Sequence, residues 1–434
     1  MSMLAIGIVG LVAFVVLLAL RMPIALAMLT VGLLGGLVVN GWSTTMFVTG
    51  GLPFSSVFPY GLSVVPLFVL MGSLALHTGM SRNLYDAGYA AFGQWQGGLS
   101  MGTIAACAGF GAICGSSLAT AATMGRISIP EMRDRGYSDA FSAATVAAGG
   151  TLGVLIPPSI ILVIYAILTE QSIGRLFIAA IIPGILATIL YILAIAVTVR
   201  LKPGTAPVTQ KPSAQERLHL ALGAWPVLLV FTVVLGGLFA GFFSPTEAAS
   251  VGVLGVALIA VFRRRLSLEV IVQAGRETAG LTGMIFLVLI GAAVFNYFVE
   301  ATQITHVLVD WVSGAGFAPW QIIVGIILFY IVLGCFMDSV SMIFLTIPFV
   351  FPIVVEYGFD PIWFGILLLS VVEIGLITPP VGMNLFVVAS SVPGLPTKRV
   401  YAAIVPFLMA DCLRLALVAS VPALSLLLVN LAYN

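Results

Sequence analysis

Two stretches of this chain set small hydroxyl residues and glycine, and in one case an acid, inside otherwise apolar sequence. Those residue types suit binding of ions and carboxylates rather than bond-making. The first is Gly111-Ala112-Ile113-Cys114-Gly115-Ser116-Ser117, and the second is Gly334-Cys335-Phe336-Met337-Asp338-Ser339-Val340-Ser341. Serine and aspartate are favoured helix N-caps, so each stretch reads as a tip where one helix ends and a returning half-helix begins. The N-terminus of such a half-helix carries partial positive charge and suits a carboxylate. Close helix packing is an alternative reading of the glycines. A dinucleotide loop is excluded, because no strand–helix–strand context surrounds them. Asp338 is the more pointed residue. An acid near a bilayer centre costs about 2.5–3.5 kcal/mol on insertion scales, so it faces a cavity or a partner. It reads as a cation ligand, with helix capping alone as the alternative.

Each tip is followed by a break. Gly153-Val154-Leu155-Ile156-Pro157-Pro158 and Gly375-Leu376-Ile377-Thr378-Pro379-Pro380 stand 222 residues apart. A proline pair removes two backbone donors and ends a helix. In hydrocarbon such a break survives only where protein or a polar cavity surrounds it, and its freed carbonyls suit a bare cation such as sodium. Thr151, Glu373 and Asn384 flank the breaks and can line the same cavity, although simple repair of the broken helix explains them nearly as well.

The remaining charged residues read as structural. Ser244-Pro245-Thr246-Glu247 is a capping box with proline at the first helical position. Asp411 and Arg414, three apart, can pair on one helix as a structural ion pair, with a transport role as the alternative. His77, His219 and His306 are scattered, and Cys107, Cys114, Cys335 and Cys412 have no metal-ligand spacing and read as small buried hydrophobes. No nucleophile has a neighbouring base and no phosphate loop carries a lysine, which disfavours an enzyme.

The elements that position these residues must be membrane helices. Of 434 residues, 61% are hydrophobic and 8% charged, against roughly 25% charged in soluble domains. With a mean hydropathy of +1.20, the fold class is an all-α polytopic membrane protein. At about 20 residues per crossing the chain makes on the order of a dozen passes, some interrupted. A net charge of +1 gives no reason to invoke nucleic acid. Met3 to Leu20 is apolar with its first charge, Arg21, at the far end, so it reads as a retained first helix rather than a signal peptide. By the positive-inside rule the N-terminus lies outside, and Arg126, Arg133, Arg135, Arg200, Lys202, Lys211, Arg217 and Arg263 to Arg265 lie inside.

The 222-residue offset also pairs Pro23 with Pro245, Ser117 with Ser339, Pro130 with Pro352, and Gly136 with Gly358. The counterparts of the basic loops are not basic. Arg126 to Arg135 corresponds to Pro348 to Tyr357, and Arg263 to Arg265 to Gly41 to Ser43. The expectation is two inverted repeats. Residues 1–200 form the first, with scaffold helices at 1–80 and a hairpin plus broken helix at 98–170. A polar linker at 201–217 follows. Residues 218–434 form the second, with scaffold helices at 218–300 and a hairpin plus broken helix at 318–392. Surface helices are expected over Ser81 to Gln94 and Thr302 to Val312.

The paired Gly-x-x-x-Pro-Pro breaks, the Gly115-Ser116-Ser117 tip, Arg133-x-Arg135-Gly136-Tyr137, Ser244-Pro245-Thr246-Glu247-Ala248-Ala249 and Asp338-Ser339 resemble the large membrane subunit of tripartite ATP-independent periplasmic (TRAP) transporters. The resemblance covers essentially the whole chain. It implies a bacterial or archaeal inner-membrane importer of organic acids that is coupled to sodium. It implies an elevator, in which a transport domain of hairpins and broken helices slides against a scaffold. The expected partners are a separate small membrane subunit, a periplasmic substrate-binding protein and membrane lipid. On this reading sodium is bound by Gly115, Ser116, Gly149 and Thr151 in one repeat, and by Asp338, Ser339, Thr378 and Pro379 in the other. Substrate contacts fall to Ser116, Ser117, Thr151, Gly153, Pro157 and Asn384. A stand-alone anion transporter with the same architecture and no binding protein is the rival reading. The acid carried is not named by these residues.

Overall fold

The computed structural model describes residues 2–208, 213–390, 392 and 395–433. Among them are twenty α-helices. Seven helices are long and apolar enough to cross a bilayer, or nine if each bent pair is one span. Lys211 and Pro212, assigned to the linker, lie outside the described residues.

One group of helices forms a frame. It comprises α1 (Met3–Ala19), α2 (Ile24–Val57, bent back on itself at Gly41, φ 75°), α3 (Val64–His77), α11 (Trp225–Phe239), α12 (Pro245–Phe262) and α13 (Leu268–Ala301). The helices α2 and α13 lie along one another because small residues let their backbones meet. A Cβ on Gly32 would stand 2.6 Å from the Val294 carbonyl oxygen, and one on Gly291 would stand 2.6 Å from that of Ala25. Asn40 donates to the Tyr297 hydroxyl at 2.8 Å and ties the same pair. The capping box at Ser244 and Glu247 is formed and starts α12.

The second group is the core. Its first half holds α5 (Gly98–Cys114), α6 (Ser117–Asp134), α7 (Asp139–Leu155), α8 (Ile160–Leu168) and α9 (Ile173–Leu201). Its second half holds α15 (Pro319–Gly334), α16 (Ser339–Glu356), α17 (Pro361–Ile377), α18 (Met383–Ser390), α19 (Thr397–Ser420) and α20 (Ala423–Tyr433). The centre is α7 and α17, buried from Phe141 to Leu155 and from Ile362 to Ile377. Apolar or small on nearly every face, with Glu373 of α17 the acidic exception, they read as interior helices. They touch each other, and α18 packs across the repeat boundary onto α6 and α7.

Surface helices α4 (Met80–Phe92) and α14 (Ile304–Gly314) lie against α5 and α16. Both sit one or two residues from the spans expected for them. Frame meets core where α3 touches α5, and a Cβ on Gly72 would stand 2.8 Å from Cys114 Cα. Two apolar clefts also open along the seam. One of about 830 Å³ lies between α1, α14 and α15–α16, and one of about 610 Å³ between α11, α4, α5 and α9.

Two features depart from the expected layout. The segment placed in the linker becomes helical at Ala214, forming α10 (Ala214–Leu222) with Ser213 as its cap. Arg217 on α10 donates to the Ala90 carbonyl at 3.1 Å, so this part of the linker is docked on α4. The second repeat also carries an extra helix, α20, which packs along α9 after the stop at Val421-Pro422.

Candidate ion and substrate site at two helix breaks

In the first repeat α5 ends at Gly115, whose φ of 64° is the left-handed conformation that glycine adopts without strain. Ser116 is then extended, and its hydroxyl accepts the Ala119 N–H at 3.4 Å, which starts α6. Thr120 donates back to the Ser116 carbonyl at 2.8 Å. This tip is seated on the first break. A Cβ on Gly111 would stand 2.4 Å from Gly153 Cα, and one on Gly115 would stand 3.0 Å from the Pro158 carbonyl oxygen. From the other side, a Cβ on Gly153 would meet Thr120 Oγ1 at 2.6 Å and the Ser116 carbonyl at 3.0 Å. Beyond the break Ser159 caps α8 by accepting the Leu162 N–H at 3.3 Å. The α7–α8 bend is 42°.

The second repeat reproduces this contact with different residues. A Cβ on Gly334 would stand 2.7 Å from Gly375 Cα. Cys335 reaches the second break, with its Sγ 3.6 Å from the Pro379 carbonyl. Asp338 caps α16, and its Oδ2 accepts the N–H groups of Val340 and Ser341, each at 3.1 Å. Its Oδ1 takes no part in the cap. Thr378 donates to the Ile374 carbonyl at 2.5 Å, and Tyr401 donates to that of Pro380. The Pro157–Pro158 and Pro379–Pro380 bonds are both cis.

Each repeat therefore brings together four helix ends. The N-termini of α6 and α8, or of α16 and α18, present partial positive charge. The C-termini of α5 and α7, or of α15 and α17, present partial negative charge. One contact thus offers donors for a carboxylate and carbonyls for a cation. The carbonyl and hydroxyl groups at each contact are oxygens, Cys335 Sγ stands beside those of the second, and Asp338 Oδ1 is the acidic oxygen that could join them there. That chemistry fits a hard ion such as sodium.

The structure brings Gly115, Ser116, Ser117, Gly153 and Pro157 together in the first contact. In the second, Pro379 meets Cys335, with Asp338 and Ser339 on the tip side and Thr378 on the break side. Three expected residues point elsewhere. A Cβ on Gly149 would meet Cys107 Sγ at 2.8 Å, so Gly149 serves packing of α7 on α5. Thr151 faces Tyr191, 3.1 Å away on α9. Asn384 on α18 donates to the Ala147 carbonyl of α7 at 3.2 Å, and its buried Oδ1 has no partner. The Asp411–Arg414 pair is formed at 3.1 Å, but it is fully buried and Arg414 also reaches Glu373 at 2.7 Å. That wider cluster was not read from the sequence.

The model of the family described as "Tripartite ATP-independent periplasmic transporter, DctM component" matches residues 11–424. The chain belongs to this family. DctM relatives include the C4-dicarboxylate TRAP transporter large permease protein of Pseudomonas aeruginosa, 39% identical over 86% of each chain. The sialic acid large permease of Vibrio cholerae is 33% identical over 94% of this chain and 95% of its own. The ectoine large permease of Halomonas elongata is 31% identical, covering 96% and 97%. Among solved structures, the YdaH transporter of Alcanivorax borkumensis superposes with a TM-score of 0.56 at 16% identity, covering 84% of this chain and 87% of that one. That likeness shows a shared fold. This DctM chain is a multi-pass TRAP permease subunit, and its relatives are named as permeases rather than enzymes.

Proposed function

We propose that the chain is the membrane permease of a sodium-coupled importer of organic acids. It works in the bacterial inner membrane with a separate small membrane subunit and a periplasmic binding protein. The observation that carries this reading is the duplicated contact of hairpin tip on helix break, with paired donors and paired carbonyls in each copy. Relatives named for C4-dicarboxylates, sialic acid and ectoine support a carboxylate cargo. Sodium neutralises the carbonyl-rich ends and Asp338 Oδ1, and the cargo carboxylate meets the N-termini of the half-helices. The core moves as an elevator against the frame, with the two apolar clefts along the seam as the places where packing is least complete.

The test is reconstitution with the small subunit and binding protein in proteoliposomes. Uptake is expected to need an inward sodium gradient and the binding protein. Uptake that ignores sodium overturns the coupling, and uptake that persists without binding protein favours the stand-alone rival. With two sodium ions per monoanion, a negative-inside potential accelerates uptake, since each net charge gains about 2.3 kcal/mol per 100 mV. For the motion, a cysteine crosslink from Ser116→Cys to α3 is expected to stop transport, and one between the two hairpins to leave most of it. Normal transport by both crosslinked forms excludes the elevator.

A further inference from the structure

Thr151 and Glu373 occupy the same place in the two repeats, two residues before Gly153 and Gly375. Neither side chain turns to its own hairpin tip. Instead they are the two ends of one polar chain that crosses the interior from repeat to repeat. Thr151 donates to the Ala148 carbonyl at 2.7 Å, and its Oγ1 lies 3.1 Å from the Tyr191 hydroxyl on α9 in a polar oxygen–oxygen contact. Tyr191 donates to Asp411 Oδ2 on α19 at 2.5 Å. Asp411 Oδ1 lies 3.1 Å from Arg414 Nη2, and Arg414 Nη1 lies 2.7 Å from Glu373 Oε2 on α17. All five side chains are 0% exposed. The closing contact is an ion pair by distance but is not aligned as a hydrogen bond, and Glu373 Oε1 has no partner. Arg414 also reaches the Ser370 carbonyl of α17 at 3.4 Å.

Four helices, two from each repeat, are thereby pinned at one level just ahead of both breaks. Apolar side chains of similar volume would hold them together as firmly, because burying charge is costly even when it is paired. What a polar chain adds is a fixed arrangement. A shift of α7 or α17 stretches hydrogen bonds and charge contacts that weaken steeply with distance and angle. Each end lies within one helical turn of a break, so a change at one break is passed to the other through contiguous groups.

We propose that the chain from Thr151 through Tyr191, Asp411 and Arg414 to Glu373 is a positioning strut that couples the two breaks, so that an ion held at one raises affinity at the other. The inference rests on the sodium reading of those breaks. None of Tyr191, Asp411 and Arg414 touches the ion or the cargo.

The test is the sodium dependence of uptake by the full transporter in proteoliposomes, read as Hill slope, half-saturating sodium and maximal rate. The wild type is expected to show a slope above one. Tyr191→Phe removes one hydroxyl from the middle of the strut and keeps the ring. It is expected to lower the slope to that of two independent sites and to raise half-saturating sodium, the lost coupling being about fivefold or more. Its maximal rate at saturating sodium is retained. Asp411→Asn is expected to flatten the slope likewise, and if it fails to assemble, Tyr191→Phe decides. Phe407 packs edge-on against Tyr191 at 5.6 Å without joining the chain, so Phe407→Leu is expected to keep the wild-type slope. A Tyr191→Phe variant with an unchanged slope overturns the strut. So does a Phe407→Leu variant that flattens equally, or a sodium-dependent wild type with a slope of one. A wild type whose uptake ignores sodium overturns both the sodium reading and the inference.

Discussion

The two tips share a skeleton and differ in charge. In both repeats a glycine of the incoming hairpin helix meets the glycine that precedes a proline pair, Gly111 on Gly153 and Gly334 on Gly375. In both, the residue starting the outgoing helix is an extended N-cap, Ser116 or Asp338. The first copy closes with neutral groups throughout. The second places a carboxylate at the cap and another, Glu373, where the first has Thr151. The backbone arrangement is thus set by glycine, proline and capping geometry. Chemical character is added afterwards by a few side chains, in one copy more than the other. A duplicated frame for main-chain ligands needs no duplicated charge.

The largest effect is expected where the copies are alike. Gly111→Val and Gly334→Val each drive side-chain carbons into backbone that is already at contact, 2.4 and 2.7 Å away for Cβ alone. Overpacking of this kind costs about 1–3 kcal/mol and displaces the tip from the break. Uptake is expected to fall by about tenfold or more in both variants at matched membrane levels. Full activity in one of them would show that its tip does not work against its break.

Next in size is Asp338→Ala, which deletes the cap and the open Oδ1 together. Hydrogen bonds to a charged group contribute about 1.5–3 kcal/mol, so half-saturating sodium is expected to rise about tenfold or more. Asp338→Asn separates the two jobs, because an amide oxygen still accepts from Val340 and Ser341 while the charge is gone. A wild-type sodium response in Asp338→Ala would remove Asp338 from the ion site. Ser116→Ala, the same operation on the neutral copy, loses a cap of about 1 kcal/mol, and about a fivefold shift is expected. Shifts of equal size in Ser116→Ala and Asp338→Asn would erase the proposed difference between the copies. Smallest for transport is Ser244→Ala in the frame. It weakens the start of α12 by about 1 kcal/mol in thermal unfolding, and sodium dependence is expected to stay put.

Much of this arrangement is legible in the chain because it rests on residues with strong local preferences. Proline pairs at 157–158 and 379–380 mark breaks, serine and aspartate at 116 and 338 mark caps, and Ser244 with Glu247 marks a capping box. These act over a few residues, so spacing alone exposes them. What escapes is anything that depends on helix rotation. Whether Thr151 faces the tip or Tyr191 turns on how α7 sits among its neighbours. Nothing local distinguishes Tyr191 from any aromatic residue in a buried helix. The Asp411–Arg414 pair is readable at a spacing of three, but Glu373 joins it from 38 positions earlier along the chain. Gly149, one turn before Gly153, packs its Cα closely on Cys107 of α5, which its sequence position does not announce. The docking of α10 is foreshadowed by Ser213 and Glu216, a cap and an acidic first turn hidden beside a proline-rich stretch.

Both contacts are made largely from peptide groups, from glycine and from the short side chains of serine, threonine, aspartate and proline. On the proposed function, a receptor of that kind would recognise the polarity of a carboxylate or the hardness of an ion and be nearly blind to the rest of a molecule. Substitutions around it can reshape the cavity for a longer or bulkier acid without disturbing the groups that hold charge. Cargo preference can therefore drift between close relatives while the ion-holding machinery stays still. Relatives at 39% and 33% identity are accordingly named for C4-dicarboxylates and for sialic acid.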